Sequence, residues 1–154
     1  MNIPVYQLRK RHNEKMYLHK IKSIIVEGSI CLDNPAAVAD FVNKEFDLCE
    51  LAEEELYAIY VSESNNTQSV VRLSHGGINF AAVCIQSLLR HAFLCSATGF
   101  VLVHNHPTGN STPSVQDKVV SEEIREGCDL VGLRFIDHII IGNEVTSLRQ
   151  QGVL

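Results

Sequence analysis

The chain has 154 residues, 45% of them hydrophobic and 20% charged, with a formal net charge of −5. Those values fit one globular domain with a single core. No apolar run approaches the roughly 18 residues of a membrane span, and MNIPVYQLRKRHNEK lacks a signal peptide's apolar stretch, so no membrane contact and a cytoplasmic location are expected. Residues 1 to 22 carry six Lys or Arg against Glu14 alone, whereas the remainder carries 7 basic and 17 acidic residues. RKRH at 9 to 12 reads as a solvated N-terminal arm, and the acidic remainder is poor support for a nucleic-acid face.

In chain order, KIKSIIVEGSI at 20 to 30 predicts a strand. Asp33 and Asn34 before Pro35 open a helix running to about residue 50, with Pro where a missing N–H costs little. ELYAIYVSE and SVVRLSH predict two strands joined through Ser64-Asn65-Asn66-Thr67. After Gly76-Gly77, the positions Ile78, Ala82, Ile85, Leu89 and Ala92 step by three and four, as on a helix packed against a sheet. GFVLVHNH predicts a buried strand, and Ser114 starts a helix with Val115, Val119, Ile124 and Cys128 inward. Residues 132 to 141 close the sheet and the last dozen form a short cover. The layout is α/β, a mixed sheet flanked by helices, with residues 1–32 as basic arm and first strand and 33–154 as the domain. Cys31, Cys49, Cys84, Cys95 and Cys128 are widely spaced, form no CxxC pair and read as structural.

The chemistry concentrates in HNHPTGNSTPSVQD, residues 104 to 117. His104 and His106, two apart at the end of an apolar strand, leave the same face side by side. With Asp117 they supply three ligands, which leaves the fourth tetrahedral position of a zinc ion open, as in a catalytic site. Ser114-Val-Gln-Asp117 also has the form of a capping box, an ordinary helix start. Both uses of Ser114 and Asp117 are compatible, since a hydroxyl both donates and accepts.

The spacing H-x-H, seven residues, S, two residues, D resembles the signature of the JAMM (JAB/MPN) metallopeptidases, whose layout is related to the cytidine deaminases. The wording HNHPTGNSTPSVQD, with DHIIIG at Asp137 to Gly142, resembles the RadC branch, and the likeness extends over roughly residues 33 to 149. The resemblance implies one Zn²⁺ per chain on His104, His106 and Asp117. It also implies Glu54, in the run Glu53-Glu54-Glu55 before LYAIYVS, as the base that takes a proton from water, and Ser114 as a support for the oxyanion. Strand alternation puts Glu54 on the face of Leu56 and Ala58, and leaves Glu53 and Glu55 as a solvated acidic helix end. Asp137 and His138 are candidates to support a ligating imidazole from behind. The implied substrate is a peptide or isopeptide-linked protein; the alternative is a DNA-repair-associated accessory protein touching DNA through the basic arm. A homo-oligomer stays compatible with either. Two departures weaken the family's substrate inference: the helix-hairpin-helix region is not expected in the some 30 residues ahead of the domain, and Ile85-Gln86-Ser87 replaces the family's PRE triplet. A zinc deaminase would want H-x-E together with P-C-x-x-C, and no P-C-x-x-C is present.

Overall fold

Period-two apolar runs build a sheet and period-3.6 runs build the helices that cover it. In this computed structural model, which describes residues 1–10, 16–25, 32, 34–75 and 85–154, seven strands form one mixed sheet. They are β1 (Asn2–Lys10), β2 (Met16–Ile25), β3 (Glu55–Val61), β4 (Thr67–His75), β5 (Gly99–Asn105), β6 (Arg134–Ile141) and β7 (Val145–Ser147), in the order β2-β1-β4-β3-β5-β6-β7. The β1/β4 and β5/β6 pairs are parallel and the rest antiparallel. Among the described residues, three helices, α1 (Pro35–Phe46), α2 (Ile85–Leu94) and α3 (Val115–Val131), complete the α/β layout expected from the sequence.

Strand parity divides the core in two. Tyr57, Ile59, Val101, Val103, Ile139 and Ile141 pack with Val38 and Val42 of α1 on one face. Leu56, Ala58, Tyr60, Phe100 and Leu102 pack with Leu88 of α2 and Val120, Ile124 and Cys128 of α3 on the other. Each fully buried Val or Ile contributes about 1.5–3 kcal/mol, so α3 is held mainly by its sheet-facing stripe. β3 and β5 are buried along their whole length, which explains their near-continuous apolar runs.

Several expectations need correction. Arg9 and Lys10 of the expected arm belong to β1, which pairs with β2, while Arg11 and His12 lie outside the described residues; Ile3 and Val5 are fully buried, a period-two signal that the basic residues obscure in composition. The strand placed at 20 to 30 begins at Met16, and its part beyond Ile25 lies outside the described residues. α1 stops at Phe46, capped by Asp47 at φ 54°, and a 3-10 turn, Leu48–Glu50, carries the chain on. Its start is as read: Asn34 Oδ1 accepts from the amides of Ala36 (3.0 Å) and Ala37 (3.3 Å), with Pro35 at the first position. Ile78 and Ala82 lie outside the described residues, while Ala92 is buried and Ile85 and Leu89 pack on the same cluster. On α3, Ile124 and Cys128 face inward, but Val115 and Val119 are 80% and 44% exposed. Burial of Asp117 fixes which face turns in, and the helical period brings Val120 and Ser121 with it. Finally, β7 adds an edge strand beyond β6.

Candidate metal centre

β5 delivers His104 on the α3 face, level with the first turn of α3, and the chain leaves the strand at His106. The intervening loop is held against the end of β6: the His106 amide donates to Ile141 O (2.8 Å) and the Asn143 amide to Gly109 O (2.7 Å). Gly109 adopts φ +80°, and a Cβ on Gly142 would lie 2.4 Å from Gly109 O, so both glycines are required for this close approach. Ser114 then caps α3 in a full capping box, its Oγ accepting from the Asp117 amide (3.0 Å) while its own amide donates to Asp117 Oδ2 (2.7 Å). The cap rotates Asp117 toward the histidines.

His104, His106 and Asp117 thereby converge. The two Nε2 atoms are 3.0 Å apart, His104 Nε2 is 3.4 Å from Asp117 Oδ1, and His106 Nε2 is 3.7 Å from Asp117 Oδ2. A tetrahedral cation with N and O ligands at about 2.0–2.1 Å spaces its ligand atoms about 3.3 Å apart, and one ligand atom from each of the three residues lies within 4.8 Å of the others, a set that closes on such an ion by a small side-chain adjustment. Two further observations agree. Asp117 is 1% exposed, yet its Oδ1 has no hydrogen-bond partner, a costly state for a buried carboxylate that a cation relieves. Burial, reinforced by the neighbouring His106, pushes the His104 pKa down to about 3, so the ring is neutral, as a ligand must be.

Glu54, Ser114, His106 and Asp117 are among the residues lining one open cleft of ≈270 Å³. Parity separates Glu54 from its neighbour. Glu55, expected to be solvated, is 4% exposed on the α1 face, where it accepts from the Tyr57 hydroxyl (2.6 Å) and from Arg72 (3.3 Å). Burial and the Glu55 carboxylate together raise the Tyr57 phenol far above its ordinary range, keeping it a donor. Asn105, which sequence reasoning passed over, lies between the two histidines and points away from them. Its Oδ1 accepts from the Glu55 amide (2.8 Å) and its Nδ2 donates to Glu53 O (3.1 Å), so one side chain pins the backbone on both sides of Glu54.

His138 and Asp137 also part by parity. His138 is fully buried on the α3 face with Nε2 2.8 Å from His104 Nδ1, and burial, with His104 beside it, lowers its pKa. Asp137 faces α1 and is corrected as a support for the ligands: it accepts from the Ser147 hydroxyl (2.6 Å) and the amides of His138 (2.7 Å) and Arg149 (3.1 Å), tying β6 to the C-terminal turn. Ser121, one helical turn after Asp117, was also missed; its Oγ lies 2.7 Å from His138 Nδ1. The i, i+4 spacing from Asp117 was the available signal.

The family model described as "RadC-like JAB domain" matches residues 32–153. The chain belongs to the RadC-like JAB domain family. It is 35% identical over 94 residues to the UPF0758 protein of Actinobacillus pleuropneumoniae serotype 5b, covering 60% of this chain and 43% of that protein. It is 36% identical over 136 residues to the UPF0758 protein of Desulforamulus reducens, covering 88% and 59%. With the UPF0758 protein of Vibrio cholerae serotype O1 it shares 28% over 155 residues, covering 97% and 96%. This RadC-like JAB domain thus spans less than two thirds of the first two relatives and nearly all of the third. Among its described residues, no helix is long and apolar enough to cross a membrane.

Proposed function

We propose that this RadC-like JAB domain is a zinc-dependent hydrolase that cleaves an amide bond in a peptide or isopeptide-linked protein. The observation that carries the reading is the convergence of two imidazoles and an unsatisfied buried carboxylate beside a cleft that also holds Glu54. Zinc bound there supplies Lewis acidity and a nucleophile at neutral pH. His104, His106 and Asp117 would hold it. Glu54 takes the proton of the attacking water and returns it to the leaving amine, work that needs a carboxylate at the cleft wall. Ser114 keeps its backbone bond to Asp117 and turns its hydroxyl proton toward the developing oxyanion, since its Oγ only accepts in the cap. Asn105 excludes drift of the Glu54 backbone. Free thiols at Cys49, Cys95 and Cys128 fit a reducing compartment, the cytoplasm.

The test is a mass-spectrometric screen of the zinc-loaded protein against a mixed peptide library and isopeptide-linked model conjugates. Cleavage that disappears in Glu54→Gln while zinc stays bound is the expected result. Cleavage that persists in Glu54→Gln, or no cleavage by loaded wild type on either substrate class, contradicts the reading.

A further inference from the structure

A buried chain of hydrogen bonds runs from the ligand helix to the ligand strand. Ser121 Oγ is 2.6 Å from Asp117 O and 2.7 Å from His138 Nδ1, and His138 Nε2 is 2.8 Å from His104 Nδ1. Ser121, His138 and His104 are each 0% exposed. One chemical fact sets the direction of every bond: a backbone carbonyl only accepts. The single hydroxyl proton of Ser121 therefore goes to Asp117 O, and Ser121 can only accept from His138. That places the proton of the neutral His138 ring on Nδ1 and leaves its Nε2 as an acceptor. His104 must then donate from Nδ1, and its Nε2 carries a lone pair toward Asp117. His106 reaches the same tautomer separately, with Nδ1 2.7 Å from Asn110 O.

We propose that His138 and Ser121 are positioning residues that lock His104 in its Nδ1–H tautomer, so that the ligand set is formed before a cation arrives. The inference rests on the metal-site reading above. A ligating imidazole commonly donates its second N–H to a carboxylate, carbonyl or water. Here the acceptor is a second imidazole, which fixes the tautomer without adding negative charge to the centre. Through Ser121 the same chain also ties His104 of β5 to the backbone of Asp117 in α3, so two ligands from different elements share one scaffold. The competing arrangement reverses every proton: Ser121 donates to His138, and His104 Nε2 carries a proton toward His106 Nε2. That arrangement leaves two oxygen lone pairs facing each other at the 2.6 Å between Ser121 Oγ and Asp117 O, whereas the lone pairs that the proposed one brings together, on His104 Nε2 and His106 Nε2 at 3.0 Å, are the ones a bound cation takes up.

Long-range proton–nitrogen NMR correlations on the metal-free, ¹⁵N-labelled wild type decide between them. Nδ1–H forms of His104, His106 and His138 are expected; a proton on His104 Nε2, or an averaged ring, overturns the proposal. Zinc affinity by competition with a chromophoric chelator supplies the second readout. His138→Leu and Ser121→Ala should bind about 10- to 100-fold more weakly than wild type. His138→Gln, whose side-chain oxygen can still accept from His104, should recover part of that loss. Wild-type affinity in His138→Leu overturns the relay. A wild type that binds no zinc overturns the metal reading instead, and the tautomer spectra still decide the relay.

Discussion

The two faces of the sheet carry the same kinds of polar residue, one position apart, and treat them oppositely. On the α1 face, Glu55 has Tyr57 and Arg72, Asp137 has Ser147 and two amides, and Asn105 spans two backbone groups. On the α3 face, His104 and Asp117 are as deeply buried, but Asp117 Oδ1 has no donor. Buried charge that is fully hydrogen-bonded reads as architecture, and buried charge left short of a partner reads as a site awaiting a ligand. The neighbours Glu54/Glu55, His104/Asn105 and His138/Asp137 each send one side chain to either face, and among the described residues only Asp117, reached from the α3 side, keeps a buried carboxylate oxygen without a donor.

The largest expected effect that sharpens the contrast comes from the two glutamates. Glu54→Gln should lower turnover by about 10²- to 10⁴-fold, the range for a lost general base, with zinc retained. Glu55→Gln should instead destabilise the fold by about 1–3 kcal/mol through the weakened bonds to Arg72 and Tyr57, read by urea denaturation. Equal loss of turnover in both would erase the distinction between the faces.

Acid should act chiefly on the α3 face. His91, His104 and His138 all have folded-state pKa values below the ordinary value, each mainly through burial. The unfolded chain therefore binds more protons than the folded one below about pH 6.5, so these groups favour folding above that pH and oppose it progressively as pH falls toward the folded value of about 3 for His104. Urea midpoints of metal-free protein should fall across that window; midpoints that stay level between pH 7 and 4 would contradict the assignment of neutral buried rings.

Asn105→Leu removes the partners of the Glu55 amide and Glu53 carbonyl and should cost about 1–3 kcal/mol of stability. Zinc should still bind, because the substituted side chain faces α1, while turnover falls through a loosened Glu54. Ser114→Ala carries the smallest effect on folding, about 1 kcal/mol for a lost helix cap. A drop in turnover well beyond that figure would assign its hydroxyl to the reaction as well as to the cap.

Spacing alone carried much of this site. Two histidines at i, i+2 on a buried strand share a face whatever the rest of the chain does, and a capped helix start fixes where Asp117 points. Parity likewise placed Glu54 with Leu56. The same parity forbids Asp137 and His138 from serving one face together, a constraint the paired motif conceals when read as a unit. Asn105 and Ser121 were harder to find, because their partners are backbone groups and a histidine 17 residues away, contacts made only by the folded topology. The β1/β2 pair was hidden for a different reason: basic residues dominate the composition of this stretch, although Ile3 and Val5 supply the alternation of a buried strand.

Metal analysis by mass spectrometry on untagged protein supplied with zinc tests the central contrast most directly, using wild type, Asp117→Asn and Asp137→Asn. The expected result is about one zinc per chain in wild type and Asp137→Asn and none in Asp117→Asn, with only Asp137→Asn losing stability in metal-free denaturation. No zinc in wild type, or equal zinc in both variants, would contradict the division of the sheet into an architectural and a ligand-binding face.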